Sequence, residues 1–371
     1  MRKYKKTFSL TASLSTIRKI ALTHFRNYRS ATFEFSAPVV SITGLNGAGK
    51  TNLIDAVYYL CYTKSYFTGY QQQLAYHGTD GFRLEGDFEN GPISETVSCK
   101  WQNGKKEIYR NGVLCEQVKD YIGRHTAVMV APDAMQLINE GSEQRRKWID
   151  GMLGQCDKQY LESLMHYQQA LTQRNAWLKM NALKAQHDFT LIDFYDRILT
   201  EHGMYLHQQR SRFIAVFKPL LHSVYEKISG RREEINLHYR TEVEQKSMAA
   251  LLKESLGNDI RMQRTLKGIH KDDLDFYLND KMLRQFGSQG QKKTYLFALK
   301  LAQWSYLNKV LGQTPVLLLD DIFEKLDYKR LEALWTLIKE EKVQQVIVTD
   351  TEKDRASRLF DTGWEVKHIL L

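Results

Sequence analysis

Gly44-Leu45-Asn46-Gly47-Ala48-Gly49-Lys50-Thr51 fits G-x-x-x-x-G-K-[ST], the phosphate-binding P-loop, a motif that works only between a buried strand and a helix. Both flanks are present. Val39-Val40-Ser41-Ile42 is a short β-branched run, and Asn52 to Leu60 carries apolar residues at helical spacing. The glycines let backbone N–H groups close around phosphate oxygens, and the helix N-terminus adds favourable partial charge. Lys50 is expected to reach the β- and γ-phosphates of a nucleoside triphosphate, and the Thr51 hydroxyl to take Mg²⁺. Gly47, Gly49 and Asn52 complete this part of the expected site. The alternative, a glycine-rich turn before an ordinary helix, does not account for eight matched residues in the right context.

A chain of 371 residues has room for two domains and a real core. No apolar run approaches the length of a membrane span. The start, Met1-Arg2-Lys3-Tyr4-Lys5-Lys6, is basic like a signal n-region, but the residues after it are too polar for an h-region. Residues 1–14 therefore read as a basic, disordered tail or as an artefact of the chosen start codon. Cys61, Cys99, Cys115 and Cys156 form no C-x-x-C pair, which argues against zinc and disulfides and for the reducing cytoplasm. A formal charge of +10 would suit a polyanionic partner.

Residues 15–142 read as the first part of an ATPase head. Two short strands surround Phe25-Arg26-Asn27-Tyr28-Arg29, and residues 82–110 form an antiparallel meander with turns at Asn103-Gly104 and Asn111-Gly112. Lys100, Lys105, Lys106 and Arg110 decorate these hairpins, either as a solvated face or as phosphate contacts. Ala127-Val128-Met129-Val130 is another buried strand. From 143 to 286 strand signals give way to helical periodicity. Tyr160, Leu164, Tyr167, Leu171 and Leu178 form one heptad-like stripe, and Tyr195, Leu199, Leu206, Phe213 and Leu220 a second. Gln173-Arg174 and Gln208-Gln209-Arg210 are polar positions on the same helices. Two helices packed antiparallel as an arm or lobe are expected, with Asn181 to Asp188 as the turn, or else an ordinary helical bundle with no protruding arm. Residues 287–371 return to the head, with strands at Pro315–Leu319 and Val346–Asp350 and a last one within Gly363–Ile369.

A P-loop needs a second element that holds Mg²⁺ and orients water. Asp320 ends an apolar strand, as a Walker B acid does, and Asp321 beside it is the candidate for polarising the attacking water. Ser288-Gln289-Gly290-Gln291 opens a helix, so its N–H groups and hydroxyl make a second anion site. It also resembles the signature S-G-G-Q of ABC-type ATPases, with Gln289 in place of the first glycine. In that class the signature caps the γ-phosphate held by a second subunit.

Five stretches in order resemble the RecF family, the recombination-mediator ATPases of the SMC-like ABC class. They are Phe25-Arg26-Asn27-Tyr28; Ala131-Pro132-Asp133 with Gly141, Arg145-Arg146 and Trp148-Ile149-Asp150; Gly268 to Leu274; Gly287 to Lys293; and Leu319 to Asp327. The likeness spans from about Ile17 to Leu371. It implies an α/β fold: an ABC-type P-loop ATPase head, a mixed sheet with an antiparallel β-meander, plus an inserted helical lobe. It implies that Arg26 and Asn27 contact the nucleotide, that Asn46 lies with Lys50 near the γ-phosphate, and that Thr51 and Asp320 stand at Mg²⁺. Ser288 and Gly290 would act in trans, and Asp327 in a D-loop crossing the dimer interface. ATP and Mg²⁺ as cofactors, duplex and gapped DNA, an ATP-dependent homodimer, RecR and RecO, and through them RecA, are the implied partners. Three features depart from ABC transporters. Asp321 stands for a glutamate, Thr349-Asp350 stands where a switch histidine would, and no Q-loop glutamine is evident near Pro132-Asp133.

Three other functions compete. An ABC subunit docked on a membrane or other protein partner would not need DNA. A small-molecule kinase would act as a monomer and have no use for Ser288. A phage-defence relative of the same class would need an effector domain that this length does not accommodate.

Overall fold

The computed structural model describes residues 15–182, 188–230, 233–322, 328–352 and 363–371. The expected tail over 1–14, Asp327 of the expected D-loop and the middle of the expected 181–188 turn lie outside them. The chain divides into two compact units, one running through Asp133 and again from Leu299, the other from Ala134 to Ala298.

In the first unit, β1 (Ser15–Phe25) and β2 (Tyr28–Glu34) form a hairpin, followed by β3 (Val39–Thr43) and α1 (Lys50–Tyr62). The meander is β4 (Gly81–Asn90), β5 (Ile93–Gln102), β6 (Lys105–Arg110) and the short β7 (Val113–Leu114). These join β1 and β2 in one antiparallel sheet of order β2-β1-β4-β5-β6-β7. Asn103-Gly104 and Asn111-Gly112 have φ of 49° and 78°, and 47° and 78°, the two consecutive left-handed residues of a type I′ hairpin. The hairpin cations are largely committed to this sheet. Lys105 pairs with Glu107, Arg110 with Glu95, and Lys106 donates to the Thr63 carbonyl.

The second sheet is parallel. It adds β8 (Ala127–Val130), β12 (Val316–Leu319), β13 (Val346–Asp350) and β14 (Val366–Leu370) to β3, in the order β14-β3-β13-β12-β8. Every residue of β3, β8, β12 and β13 is buried, as expected of parallel strands covered on both faces. α1 packs on both sheets and buries Leu53, Ile54, Val57 and Leu60 between them. Gln345 stitches the sheets together. Its amide accepts the Ile17 N–H at 2.8 Å and donates to the carbonyls of Ile17 at 2.7 Å and Phe35 at 3.2 Å.

The second unit holds α2 (Gln136–Asn139), α3 (Ser142–Cys156), α4 (Lys158–Asn181), α5 (Thr190–Ser229), α6 (Met248–Met262) and α7 (Leu283–Phe286). α8 (Gln289–Leu311) begins here, and α9 (Tyr328–Glu340) lies in the first unit. Contacts of Asp157 with Tyr205 and of Arg174 with Asp196 show α4 and α5 running antiparallel. Of the two expected stripes, Tyr160, Tyr167, Leu178, Leu199, Leu206 and Phe213 are buried.

Two expectations fail in this unit. Strands do occur between 143 and 286. β9 (Ile235–Arg240), β10 (Asp273–Leu278) and β11 (Lys281–Met282) make a small antiparallel sheet. Arg174 and Arg210 are interior, at 0% and 2% exposure, where polar helix faces were expected. Carboxylates neutralise them. Arg174 bonds Asp196 at 2.6 Å and Asp259 at 2.7 Å. Arg210 bonds Asp150 at 2.8 Å, Asp272 at 3.0 Å and the Ile269 carbonyl at 3.0 Å. Arg145 is held by Asp273 in a two-point bond at 2.7 and 3.1 Å. His270 sits between the Tyr167 hydroxyl at 2.8 Å and the Thr265 carbonyl at 3.1 Å. The Gly268–Leu274 stretch is thus the clasp that ties α3, α4 and α5 to the small sheet.

Candidate nucleotide site

The P-loop leaves β3 at Gly44 and enters α1 at Lys50. A Cβ on Gly44 would stand 2.7 Å from the Leu371 carbonyl oxygen. One on Gly49, whose φ is 113°, would stand 2.5 Å from the Asn27 amide nitrogen. Glycine is therefore required at Gly49 for both its backbone angle and the close approach of β1–β2. The approach is bonded. Asn27 donates to the Ala48 carbonyl at 3.0 Å and accepts from the Asn52 amide at 2.8 Å, and Tyr28 donates to the Gly49 carbonyl at 3.1 Å. The turn between the first two strands clamps the phosphate loop from outside. Arg26, with φ of 54°, donates to the Gln73 carbonyl at 3.3 Å and stands 3.9 Å from Asp55. Asn46 is exposed at the loop tip. Lys50 is 5% exposed, and its ammonium donates to the Gly44 and Leu45 carbonyls at 2.9 and 3.1 Å.

Thr51 and Asp320 are brought together. The Thr51 hydroxyl lies 3.1 Å from each Asp320 oxygen. β12 carries Asp320 to this place because it pairs in parallel register with β8 on one side and β13 on the other. The Asp320 N–H continues the ladder to the Val130 carbonyl at 2.8 Å. Burial, with the charge of Asp321 adding to it, pushes the Asp320 carboxyl up to about 6, against the lowering bonds from Thr349 and Thr51. A hydroxyl and a buried carboxylate beside a second acid are hard oxygen donors. They suit Mg²⁺, which takes one or two carboxylates and leaves the rest of its shell to phosphate and water. Asp321 is half-buried with φ of 48°.

Sequence reasoning did not assign three residues here. Thr349 is fully buried, and its hydroxyl touches both acids. Asp55 is buried in α1, and burial raises its carboxyl; it accepts the Ser65 hydroxyl at 2.6 Å and the Tyr66 N–H at 2.8 Å. Lys300, from α8, lies 5.6 Å over the Tyr66 ring, and burial pushes its ammonium down to about 8. The spacing of Asp55 and Lys300 carries no motif, and only folding brings both to Tyr66; Thr349 stands where a switch histidine would.

Ser288 to Gln291 lie in the second unit, where they form a reciprocal capping box at the start of α8. The Ser288 N–H donates to the Gln291 side chain at 2.8 Å, and the Gln291 N–H donates to the Ser288 hydroxyl at 3.2 Å. Gln291 also donates to Glu233 at 2.7 Å. Ser288 and Gln289 are exposed.

A family model described as an AAA domain matches residues 19–359. A DNA replication and repair protein RecF of Flavobacterium johnsoniae is 36% identical over 354 residues, covering 95% of this chain and 99% of that protein. Its counterpart in Phocaeicola vulgatus is 39% identical over 347 residues, with 93% of each chain covered. Among solved structures, the recombination mediator protein RecF-ATPrS in the RecFOR pathway superposes with a TM-score of 0.86 at 26% identity over 96% of each chain. The Smc head domain of Pyrococcus furiosus, with an extended coiled coil, superposes at 0.55 and 17% identity over 93% of this chain and 92% of that one, a likeness of fold.

Proposed function

The chain belongs to the RecF family of DNA replication and repair proteins, and we propose that it is a DNA-binding ATPase in which ATP joins two heads and slow hydrolysis parts them. The observation that carries this reading is the Thr51–Asp320 contact. It sets a P-loop hydroxyl against a strand-end acid from the far end of the chain, at 3.1 Å. A metal–triphosphate site needs such a pair, a P-loop hydroxyl beside a strand-end carboxylate.

In this reading Lys50 leaves the Gly44 and Leu45 carbonyls for the β- and γ-phosphate oxygens, and the N–H groups from Gly47 to Thr51 line the rest. Thr51 and Asp320 would hold Mg²⁺, which when bound would supply charge neutralisation of the phosphate oxygens. Asp321 accepts a proton from water as its oxygen bonds to the γ-phosphorus and the bond to the ADP oxygen breaks. Asp is one methylene shorter than Glu and holds water less closely, which suits a switch more than a fast enzyme. Asn27 and Asn52 hold the loop, and Arg26 and Asn46 lie at its phosphate side. Ser288 and Gly290 of a second copy close over the γ-phosphate, with Gln289 and Gln291 beside them and Asp327 at the interface.

The remaining limbs of the reading follow the family. The partners are duplex and gapped DNA, RecR and RecO, and through them RecA. None of the described helices is long and apolar enough to cross a membrane, and the reading assigns the protein to the cytoplasm. Sedimentation and phosphate release, with and without ATP, Mg²⁺ and gapped duplex, test it together. A protein that stays monomeric and releases no phosphate at micromolar concentration with all three present would sink the reading.

A further inference from the structure

β13 ends at Thr349-Asp350, where no histidine stands. The Thr349 hydroxyl lies 2.7 Å from one Asp320 carboxylate oxygen and 3.0 Å from the Asp321 backbone nitrogen. A hydroxyl has one proton, an ionised carboxylate can only accept, and an amide N–H can only donate. Both bonds form together in one way only: Thr349 donates to Asp320 and accepts from Asp321.

Two consequences follow for the acids. Asp320 is held from two sides, by Thr51 on α1 and Thr349 on β13, so its carboxylate plane is fixed. Asp321 sits in the left-handed region, with φ of 48°, which Asp enters more readily than most side chains but less readily than glycine. The N–H bond to Thr349 holds it there. Neighbouring buried hydroxyls show that such bonds are not simply what this sheet provides. Ser41 and Thr43 of β3, one strand over, have hydroxyls with no hydrogen-bond partner among the described residues.

We propose that Thr349 is a positioning residue for hydrolysis, its one hydroxyl setting the metal-holding acid and the water-facing acid in fixed relation to each other. This rests on the roles given to Asp320 and Asp321 above. Without the hydroxyl, Asp321 loses the bond that holds its backbone, and its side chain leaves the water. Asp320 keeps Thr51 but gains a torsional freedom that loosens the metal.

Thr349→Val keeps the shape and removes the hydroxyl, Thr349→Ser keeps the hydroxyl, and Thr349→Ala is a second deletion should the valine misfold. Each is assayed for kcat and KM of phosphate release, for binding of a fluorescent ATP analogue against Mg²⁺ concentration, and for melting temperature. The expected outcome for Val and Ala is a loss of about tenfold or more in kcat, with Mg²⁺-free analogue binding held within about twofold. Half-saturation of the Mg²⁺-dependent binding moves to higher Mg²⁺ by about threefold or more. Ser restores kcat to within about threefold of the natural protein. Natural kcat and Mg²⁺ dependence in Val or Ala overturns the proposal, and so does a Ser variant as slow as Val. A natural protein that releases no phosphate overturns the ATPase reading itself, and with it the role of Thr349. An active natural protein beside an indifferent Val variant overturns the role alone.

Discussion

Asp320 carries a functional cost that can be measured without any assay of function. Its carboxyl holds a proton up to about pH 6 in the folded protein, whereas an unfolded chain releases it in the ordinary carboxylate range. Between those two values the folded state binds more protons than the unfolded one. This group's contribution to stability therefore falls as pH rises through that window, and the cost is complete above it. Asp320→Asn should thus raise the melting temperature of the metal-free protein at pH 8, by a gain on the order of 2 kcal/mol that vanishes near pH 4. The same variant should lose Mg²⁺-dependent nucleotide binding. Melting below the natural protein at pH 8 would mean that the Thr51 and Thr349 bonds outweigh desolvation. Asp321→Asn should behave differently, keeping Mg²⁺ and ATP binding while hydrolysis slows by about a hundredfold, because an amide cannot take the water proton. Turnover measured under saturating Mg·ATP separates the two acids, and matching phenotypes would contradict their separate roles.

The helices of the second unit are joined by arginines that replace what a hydropathy pattern would fill with leucine. Arg174 is fully buried between α4, α5 and α6, bonded to Asp196, Asp259 and the Thr265 hydroxyl. Arg174→Met alone strands Asp259, itself fully buried, and should cost about 3–5 kcal/mol in urea unfolding. Adding Asp259→Leu removes the stranded charge and should recover most of that loss; a double variant no better than the single one would place the cost in packing. These interior arginines were illegible beforehand because a charged residue on a heptad-like helix reads as a solvated face, and nothing local marks its distant partners. The small sheet was more legible than the helical surroundings allowed. Leu274, Phe276 and Leu278 alternate with Asp275 and Tyr277, and Asn279-Asp280, with φ of 46° and 61°, form the two-residue turn to β11. A period of two was there, and Asn-Asp signals a hairpin less loudly than Asn-Gly. By contrast, β3, β12 and β13 were plain in the sequence because parallel strands buried on both faces are continuous apolar runs. They carried the P-loop, Asp320 and Asp321 with them. Thr349 was legible only as a residue standing where a switch histidine would; its bonds to both acids were not, since a threonine on such a strand looks like any other β-branched residue.

A chain of charge +10 that binds duplex through phosphates should lose affinity with salt at a log–log slope of about −0.9 per contact, and should show little sequence preference. Anisotropy titrations with ATP present test this, and salt-independent binding would remove the nucleic-acid limb. Association of two heads admits a sharper test. The Ser288 side chain is exposed at the start of α8, where Ser288 and Gln291 bond each other in the capping box. In the proposed reading the γ-phosphate of a second copy draws the Ser288 hydroxyl out of that box, and ADP offers no such anion, so only the triphosphate should join two copies. Ser288→Arg sets a bulky side chain in that gap and removes a helix cap worth about 1 kcal/mol, so its melting temperature serves as the folding control. It should bind ATP as a monomer, without dimerising or hydrolysing. Lys50→Ala should fail earlier, losing the P-loop cation that the proposed reading sets on the β- and γ-phosphates, and with it most triphosphate affinity. Mixed in equal amounts, the two inactive variants should regain activity. In a two-fold heterodimer one composite site collects both lesions, and the other joins an intact P-loop to an intact signature. With random pairing the recovered rate should approach about a quarter of the natural one. A monomeric kinase offers no route to that result, because each of its sites is closed by its own chain. A mixture as silent as its components, at concentrations where the natural protein dimerises on ATP, would mean that Ser288 does not act across the interface.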